Sequence, residues 1–444
     1  MTKPLIITAF ITGGTTEWRY PGDTSYRFAS DLEAWVEIAK LLEKGKIYAL
    51  FIADHLTLFD VYKGPNNYRD AVKTGLNVPK ADPSHAIITA ARETKNISFG
   101  VTFSTVSEHP YLFARRLATL DHFTQGRVGW NIVTSYLNSI GTQLLNGEPF
   151  PEHDERYNRA TEYVDVVSGL LLCWTFYHAA FSPKNPAFDS SRNFKKGQEL
   201  AAEFAEFVYV LGGTEELAPK INYIRTIAKE KFGRNPKNIK VIYSARVILG
   251  RTHDEAIEKE ASYKKSEVPD RNAVNFGGVT GIDLNEYDSE EEIETKNVNG
   301  VKTTTEVYFK SAKKPTKNAL LNKAPGAGPL VGTSEEVADK LEKLVEELDL
   351  DGFNFNSAVL PGSVEDLVEL LIPELQRRGL FWEDYAVPGG TFRENVYGVK
   401  GQTFLPPDHP LYDTRWTPDA NKEKFDKIYE QNLERRKQAR TSLN

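Results

Sequence analysis

Short, almost wholly apolar runs alternate along this chain with stretches in which apolar positions recur at helical spacing. Residues 5–11 form the first apolar run and predict a strand that begins almost at once. Leu32, Trp35, Val36, Ala39 and Leu42 then repeat on one helical face as far as Gly45, with Ser30 and Glu33 spaced as a capping box. Residues 47–53 are apolar on both faces, as in a strand of a parallel sheet covered from both sides. A long Gly-, Pro- and Asn-rich loop over 63–79 leads to Asp82-Pro83, a cap and first helical position, and to a helix reaching Lys95. A strand over 97–103, a helix over 110–120, the helix stop Gly126 and a strand from Val128 follow, then a polar loop and a helix opening at Asp154.

The same alternation continues, with helices over 197–206, 215–232, 254–265, 334–348 and 364–378 and strands over 207–211, 240–249 and 352–356. Strand and helix in regular succession imply a parallel sheet with helical crossovers. Seven strands are clear, starting at Leu5, Ile47, Ile97, Val128, Phe207, Lys240 and Gly352, one fewer than a closed eightfold barrel needs. The vacancy falls between the helix ending near Trp174 and the one opening at Gly197. Residues 175–196 there are rich in Pro, Ser, Asn and Lys and poor in β-branched residues, so strand five is expected to be degenerate or missing. Residues 269–329 look inserted, with an acidic run at Ser289-Glu290-Glu291-Glu292 and a hairpin signal at Asn299-Gly300. The tail beyond Gly379 is rich in Pro, Trp, Tyr and charge, and 418–443 reads as a polar helix or arm.

Composition narrows the function classes. A net charge of −7 opposes a sequence-independent grip on nucleic acid, which needs clustered Lys and Arg on one face. The single cysteine, Cys173, excludes an internal disulfide and a Cys-based metal cage, and a reducing, cytoplasmic setting is the default. The run at 5–11 is too short for a membrane span and meets Glu17-Trp18-Arg19 without a small-residue cleavage pattern, so no membrane role is expected.

Candidate chemistry gathers where strands end. Three successive strands close on polar residues, Asp54-His55, Ser104-Thr105 and the stretch from Asn131 to Ser135, and parallel α/β folds bind ligands at those carboxyl ends. Asp54 ends a fully apolar strand, so its carboxylate needs donors or solvent; it reads as a loop cap or a ligand contact. His55 and His122 read as structural histidines. Ser104 and Asn131 are turn-formers taken singly, and ligand contacts taken together. His153 and Tyr157, four apart across a helix start, share one face.

Several of these stretches, in order along the chain, resemble the flavin-dependent monooxygenases similar to bacterial luciferase, in the branch containing nitrilotriacetate and dibenzothiophene-sulfone monooxygenases. The resemblance rests on Ala53-Asp54-His55, Gln125-Gly126-Arg127 with Trp130-Asn131-Ile132-Val133-Thr134-Ser135, His153-Asp154-Glu155-Arg156-Tyr157, Thr280-Gly281-Ile282-Asp283-Leu284, Val331-Gly332-Thr333 and the run from Pro373 to Leu380. It implies an α/β fold of the (β/α)8 TIM-barrel type over 1–398 with the 269–329 insertion, followed by a C-terminal extension over 399–444. It also implies reduced FMN delivered by a separate NAD(P)H-dependent flavin reductase, O2 as co-substrate, oxygenation of a small organic substrate, and a homodimer or higher oligomer. The flavin would supply the chemistry and the protein its shelter. On this resemblance Asp54, Ser104, Asn131, His153 and Tyr157 are cofactor contacts, no residue is assigned as the catalytic acid or base, and no metal is expected.

One stretch departs from the family pattern. Ahead of the helix at Gly197, where relatives carry an apolar strand and a small Gly/Ser turn for the FMN phosphate, this chain has Asp189-Ser190-Ser191-Arg192-Asn193-Phe194-Lys195-Lys196. The glycine that lets backbone approach a phosphate is absent, and the expectation is an incomplete phosphate site. Two other readings therefore stand beside the monooxygenase: a flavin-dependent oxidoreductase on the same barrel that inserts no oxygen, and a non-catalytic member impaired in flavin binding.

Overall fold

The computed structural model describes residues 4–12, 17–174, 195–294, 315–321 and 328–412, with isolated positions between 305 and 309 and between 423 and 434. Strand β1 (Ile6–Ile11) lies in mid-sheet, paired in parallel on one side with β2 (Ala49–Ile52) and on the other with β8 (Gly352–Asn356). Outward from β2 come β3 (Ser98–Ser104) and β4 (Val128–Val133); outward from β8 come β6 (Lys240–Leu249) and β5 (Phe207–Val210). The approach of β8 to β1 requires Gly352, because a Cβ there would stand 1.8 Å from the Ile6 carbonyl oxygen.

Although β2 and β5 stand at distant places in the strand order, the rings of Phe51 and Tyr209 meet at 4.7 Å between centroids. The sheet is therefore curled into the wall of an α/β barrel. Among the described residues β4 pairs only with β3 and β5 only with β6. Residues 175–194, which carry the expectation of a degenerate or missing fifth strand, lie outside the described residues, as does the hairpin signal at Asn299-Gly300.

An eighth strand that the apolar pattern does not reveal is β7 (Leu330–Gly332), three residues long. It pairs with Val247 to Leu249, the far half of β6, while β8 uses Ile242 to Arg246. Its brevity beside a Gly- and Pro-rich approach hides it from sequence.

The first helix, α1 (Leu32–Lys44), is capped by Asp31, whose carboxylate accepts the Glu33 N–H at 3.0 Å, and not by Ser30. Two stretches read as loop hold short helices, α2 (Arg69–Thr74) and α5 (Ser139–Leu144). The outer layer continues with α3 (Pro83–Glu93), α4 (Pro110–Phe123), α6 (His153–Trp174), α7 (Lys195–Phe204), α8 (Thr214–Glu230) and α9 (His253–Lys265). The inserted stretch contributes α10 (Arg271–Thr280) and α11 (Lys317–Leu321). After α12 (Ser334–Leu348), the helix expected over 364–378 begins earlier, as α13 (Gly362–Asp366), and reaches α14 (Ile372–Arg377) through one π-helical turn, Leu367–Leu371, just before Pro373. The tail folds back as α15 (Phe392–Tyr397), and Leu405 and Leu411 join the main apolar core.

The end of the barrel where strands begin is locked by buried charge. Arg127, in the Gly-Arg pair after α4, donates to the carbonyls of Ala91, Ile97 and Thr124 and to the Thr94 hydroxyl. That guanidinium is structural, and the chemistry belongs to the opposite end.

Candidate active site

At the carboxyl ends of the strands lies one cavity of about 380 Å³, within the size range of small-molecule and cofactor pockets. Its walls draw on β1 (Phe10), β2 (Phe51), β5 (Val210), β6 (Ser244) and β8 (Asn354, Asn356), with α10 (Asn275, Val279) across the mouth. Asp54, Ser104 and Asn131 line it together, so the structure gathers three of the five residues singled out from sequence.

Two of the three are held from behind by hydrogen bonds, and the third is tuned by its surroundings. Thr102 donates its hydroxyl to the Ile52 carbonyl at 2.8 Å and accepts from the Asn131 amide nitrogen at 2.7 Å, which fixes the plane of that amide. The hydroxyls of Ser104 and Ser135 are 2.7 Å apart, and Ser135 takes the left-handed backbone, φ 56°, that brings it over the cavity. Burial pushes the Asp54 carboxyl above its ordinary range, while the Lys80 amine pulls it partly back.

His55, read from sequence as a loop residue, also lines the cavity. The Lys80 amine lies 3.0 Å from its Nδ1, and the ring rests edge-on against Phe59 and Tyr136. Burial first, and the Lys80 charge second, hold this imidazole far below its usual pKa; burial likewise brings Lys80 down to about 8. With a protonated amine at Nδ1, the neutral ring carries its own proton on Nε2. Lys80 follows 26 residues of chain rich in turns after Asp54, and nothing in its local sequence signals the contact.

His153 and Tyr157 do not line this cavity. They form a separate buried pair at the first turn of α6, ring centroids 4.8 Å apart, with His153 Nδ1 at 2.8 Å from the Asp154 carboxylate. The Tyr157 ring lies against Gly197 in the opening turn of α7, where an added Cβ would come within 3.3 Å of it. In chain order α6 and α7 fall between β4 and β5, so the pair belongs to that side of the barrel. Residues 189–194 of the departing stretch lie outside the described residues.

Among the described residues no group of three or more His, Cys, Asp or Glu side chains is placed to hold a metal ion, and no helix is long and apolar enough to cross a membrane.

The chain is 38% identical to a long-chain alkane monooxygenase of Geobacillus thermodenitrificans (strain NG80-2), covering 92% of this chain and 97% of the other. It is 34% identical to a dimethyl-sulfide monooxygenase of Hyphomicrobium sulfonivorans, covering 90% and 91%. The crystal structure of a long-chain alkane monooxygenase superposes with a TM-score of 0.79 at 36% identity over 92% of this chain and 99% of that one. A riboflavin lyase structure with modified FMN and riboflavin superposes at 0.80, with 26% identity over 94% and 100%. The luciferase-like monooxygenase family matches residues 10–351, most of the chain, and with these relatives it establishes that the protein belongs to the luciferase-like monooxygenases.

Proposed function

We propose that this chain is the oxygenase component of a two-component monooxygenase, receiving reduced FMN from a separate NAD(P)H-dependent flavin reductase and using O2 to oxygenate a small organic substrate. The names of the alkane and dimethyl-sulfide relatives and the FMN in the riboflavin lyase support the class. The observation that carries it is the meeting of Asp54, Ser104 and Asn131 in one apolar cavity at the carboxyl ends of the strands. A flat heteroaromatic ring needs apolar walls for its faces and a few fixed polar groups at its edge, and these residues fit that demand.

When bound, reduced FMN supplies the electrons that activate O2. The chain's own part is to bind, orient and keep water out. Asp54, Ser104 and Asn131 take the polar edge of the ring and the chain below it. His153 and Tyr157, beside the opening turn of α7, take the phosphate end, where helix N-terminal N–H groups favour an anion. Leu56, Tyr136 and Ile140 close the mouth with apolar surface, and His55 offers a neutral N–H donor. The proposed organisation is a barrel domain over 1–398 with an extension over 399–444, in a cytoplasmic homodimer or higher oligomer.

Anaerobic titration with reduced FMN tests the reading: saturable binding is expected, weakened about tenfold in Asp54→Ala and in Tyr157→Phe by loss of a hydrogen bond. Equal affinity in the wild type and both variants removes these residues from the site.

A further inference from the structure

The cavity has a second polar side, and its groups are uncharged. Thr8, Asn354 and Ser244 stand in register across β1, β8 and β6, which sets their side chains in one layer of the barrel. Asn356, two residues beyond Asn354 on β8, shares its face one step nearer the mouth, in register with Phe10 of β1. Ser244, Asn354 and Asn356 all line the cavity, on the far side of β1 from the Asp54, Ser104 and Asn131 of the proposed flavin edge.

Hydrogen bonds within the protein fix which end of each amide is left over. The Thr8 hydroxyl donates to Asn354 Oδ1 at 2.7 Å, so the NH2 of this residue, itself only 2% exposed, is the end that remains for the cavity. Asn356 donates its NH2 to the Ala245 carbonyl at 3.2 Å and keeps its Oδ1. The Ser244 hydroxyl bonds to no side chain or carbonyl among the described residues. Buried donors and acceptors left in this way cost free energy until water or a ligand meets them. Residues two apart on a strand stand roughly 7 Å apart, a gap that one carboxamide spans with a hydrogen bond at each end.

An anion is poorly served here. The described lining holds no Lys or Arg, and Arg246, next on this face of β6, stands outside it and is ion-paired with Glu17 at 3.1 Å. A carboxylate would lose its water without gaining an opposite charge, and would meet the Asn356 oxygen as one acceptor against another. An uncharged group that both donates and accepts satisfies the Asn354 and Asn356 ends together. Beside them the rings of Phe10, Phe51 and Tyr209 pack in series, with centroids 5.4 and 4.7 Å apart, and give an apolar body its floor.

We propose that Ser244, Asn354 and Asn356 form a specificity subsite that takes an uncharged hydrogen-bonding group of the substrate, a carboxamide or a hydroxyl, while the apolar body lies on the aromatic floor. This rests on the monooxygenase reading for the word substrate; recognition of a neutral polar group does not need it.

Calorimetric titration of the purified protein with benzamide, benzoate and toluene, with and without oxidised FMN, tests the subsite by binding alone. Benzamide is expected to bind about tenfold more tightly than benzoate, because only the amide supplies a donor to Asn356 and needs no counter-charge. Asn354→Asp keeps the Thr8 bond and replaces the NH2 by an acceptor, and is expected to weaken benzamide about tenfold. Ser244→Ala is expected to weaken it about fivefold, the equivalent of one hydrogen bond, and both variants leave toluene unchanged. Benzoate bound as tightly as benzamide by the wild type overturns the proposal, and so does a benzamide affinity that neither variant moves. Equal losses of benzamide and toluene in Ser244→Ala reduce the effect to a change of shape and overturn it as well. If bound FMN displaces benzamide, the three residues belong to the flavin edge and the proposal falls. Benzamide preference in a protein that binds no FMN leaves the subsite standing and removes the monooxygenase reading.

Discussion

Lys80 shapes the cavity without lining it, because its amine reaches His55 Nδ1 at 3.0 Å and lies close enough to Asp54 to lower that carboxyl. Removing the cation by Lys80→Met relieves His55 of a positive neighbour and deprives Asp54 of one, so both pKa values rise. Histidine ring and carboxyl resonances followed by NMR across the pH range check this, with Lys80→Arg restoring the wild-type values; an unmoved His55 titration breaks the assignment of the pair. Asp54 and Ser104 were legible in the sequence because they close apolar strands, where burial dictates the position of a polar residue, whereas Asn131 lies inside β4 and stands out as a polar position in an otherwise apolar strand. Lys80 and Arg246 were not, since His55 and Glu17, which they meet, lie far off in the chain. A half-buried arginine reads the same in sequence as a solvated one.

At the scale of elements, long periodic segments were readable and short ones were not. The 15-residue helix α12 was legible at both boundaries, from Ser334 to Leu348, with a Thr333/Glu336 capping box. The three-residue β7 and the six-residue α2 and α5 carry too few turns of pattern to stand out from loop. Helix α4 shows what packing adds that pattern does not. It buries Asp121 completely, with neither carboxylate oxygen hydrogen-bonded among the described residues, and burial raises its pKa to about 8 against a weaker opposing pull from Arg393. The folded state thus holds a proton that the unfolded chain releases near pH 4. Stability from this group is full below about pH 4, falls as pH rises toward about 8 and is flat above it. Asp121→Asn keeps the shape without the titration. It is expected to gain on the order of 5 kcal/mol over the wild type near pH 8, and little near pH 4. Urea midpoints for both proteins across that range measure it, and parallel curves contradict it.

For the whole molecule the question is what ties β4 to β5, each of which has one strand neighbour among the described residues. Helix α15 spans the starts of both. The Phe392 N–H donates to the Gly126 carbonyl just before β4, and Arg393 grips Glu206 just before β5 at 2.9 and 3.1 Å. Tyr397 adds a third bond to that carboxylate at 3.2 Å, and Arg393 also donates to the Thr403 carbonyl. Both partners of the ion pair are at most 4% exposed, so removing one strands the other in apolar surroundings. Arg393→Met is expected to cost about 3–5 kcal/mol, whereas Arg393→Met with Glu206→Met recovers most of it, because the desolvation penalty of both charges disappears together. If α15 bridges the two strands, the single variant also speeds amide hydrogen exchange in β4 and β5 more than in β1, which has neighbours on both sides. Uniform acceleration across all three strands would mean that the pair supports global stability without joining those two edges.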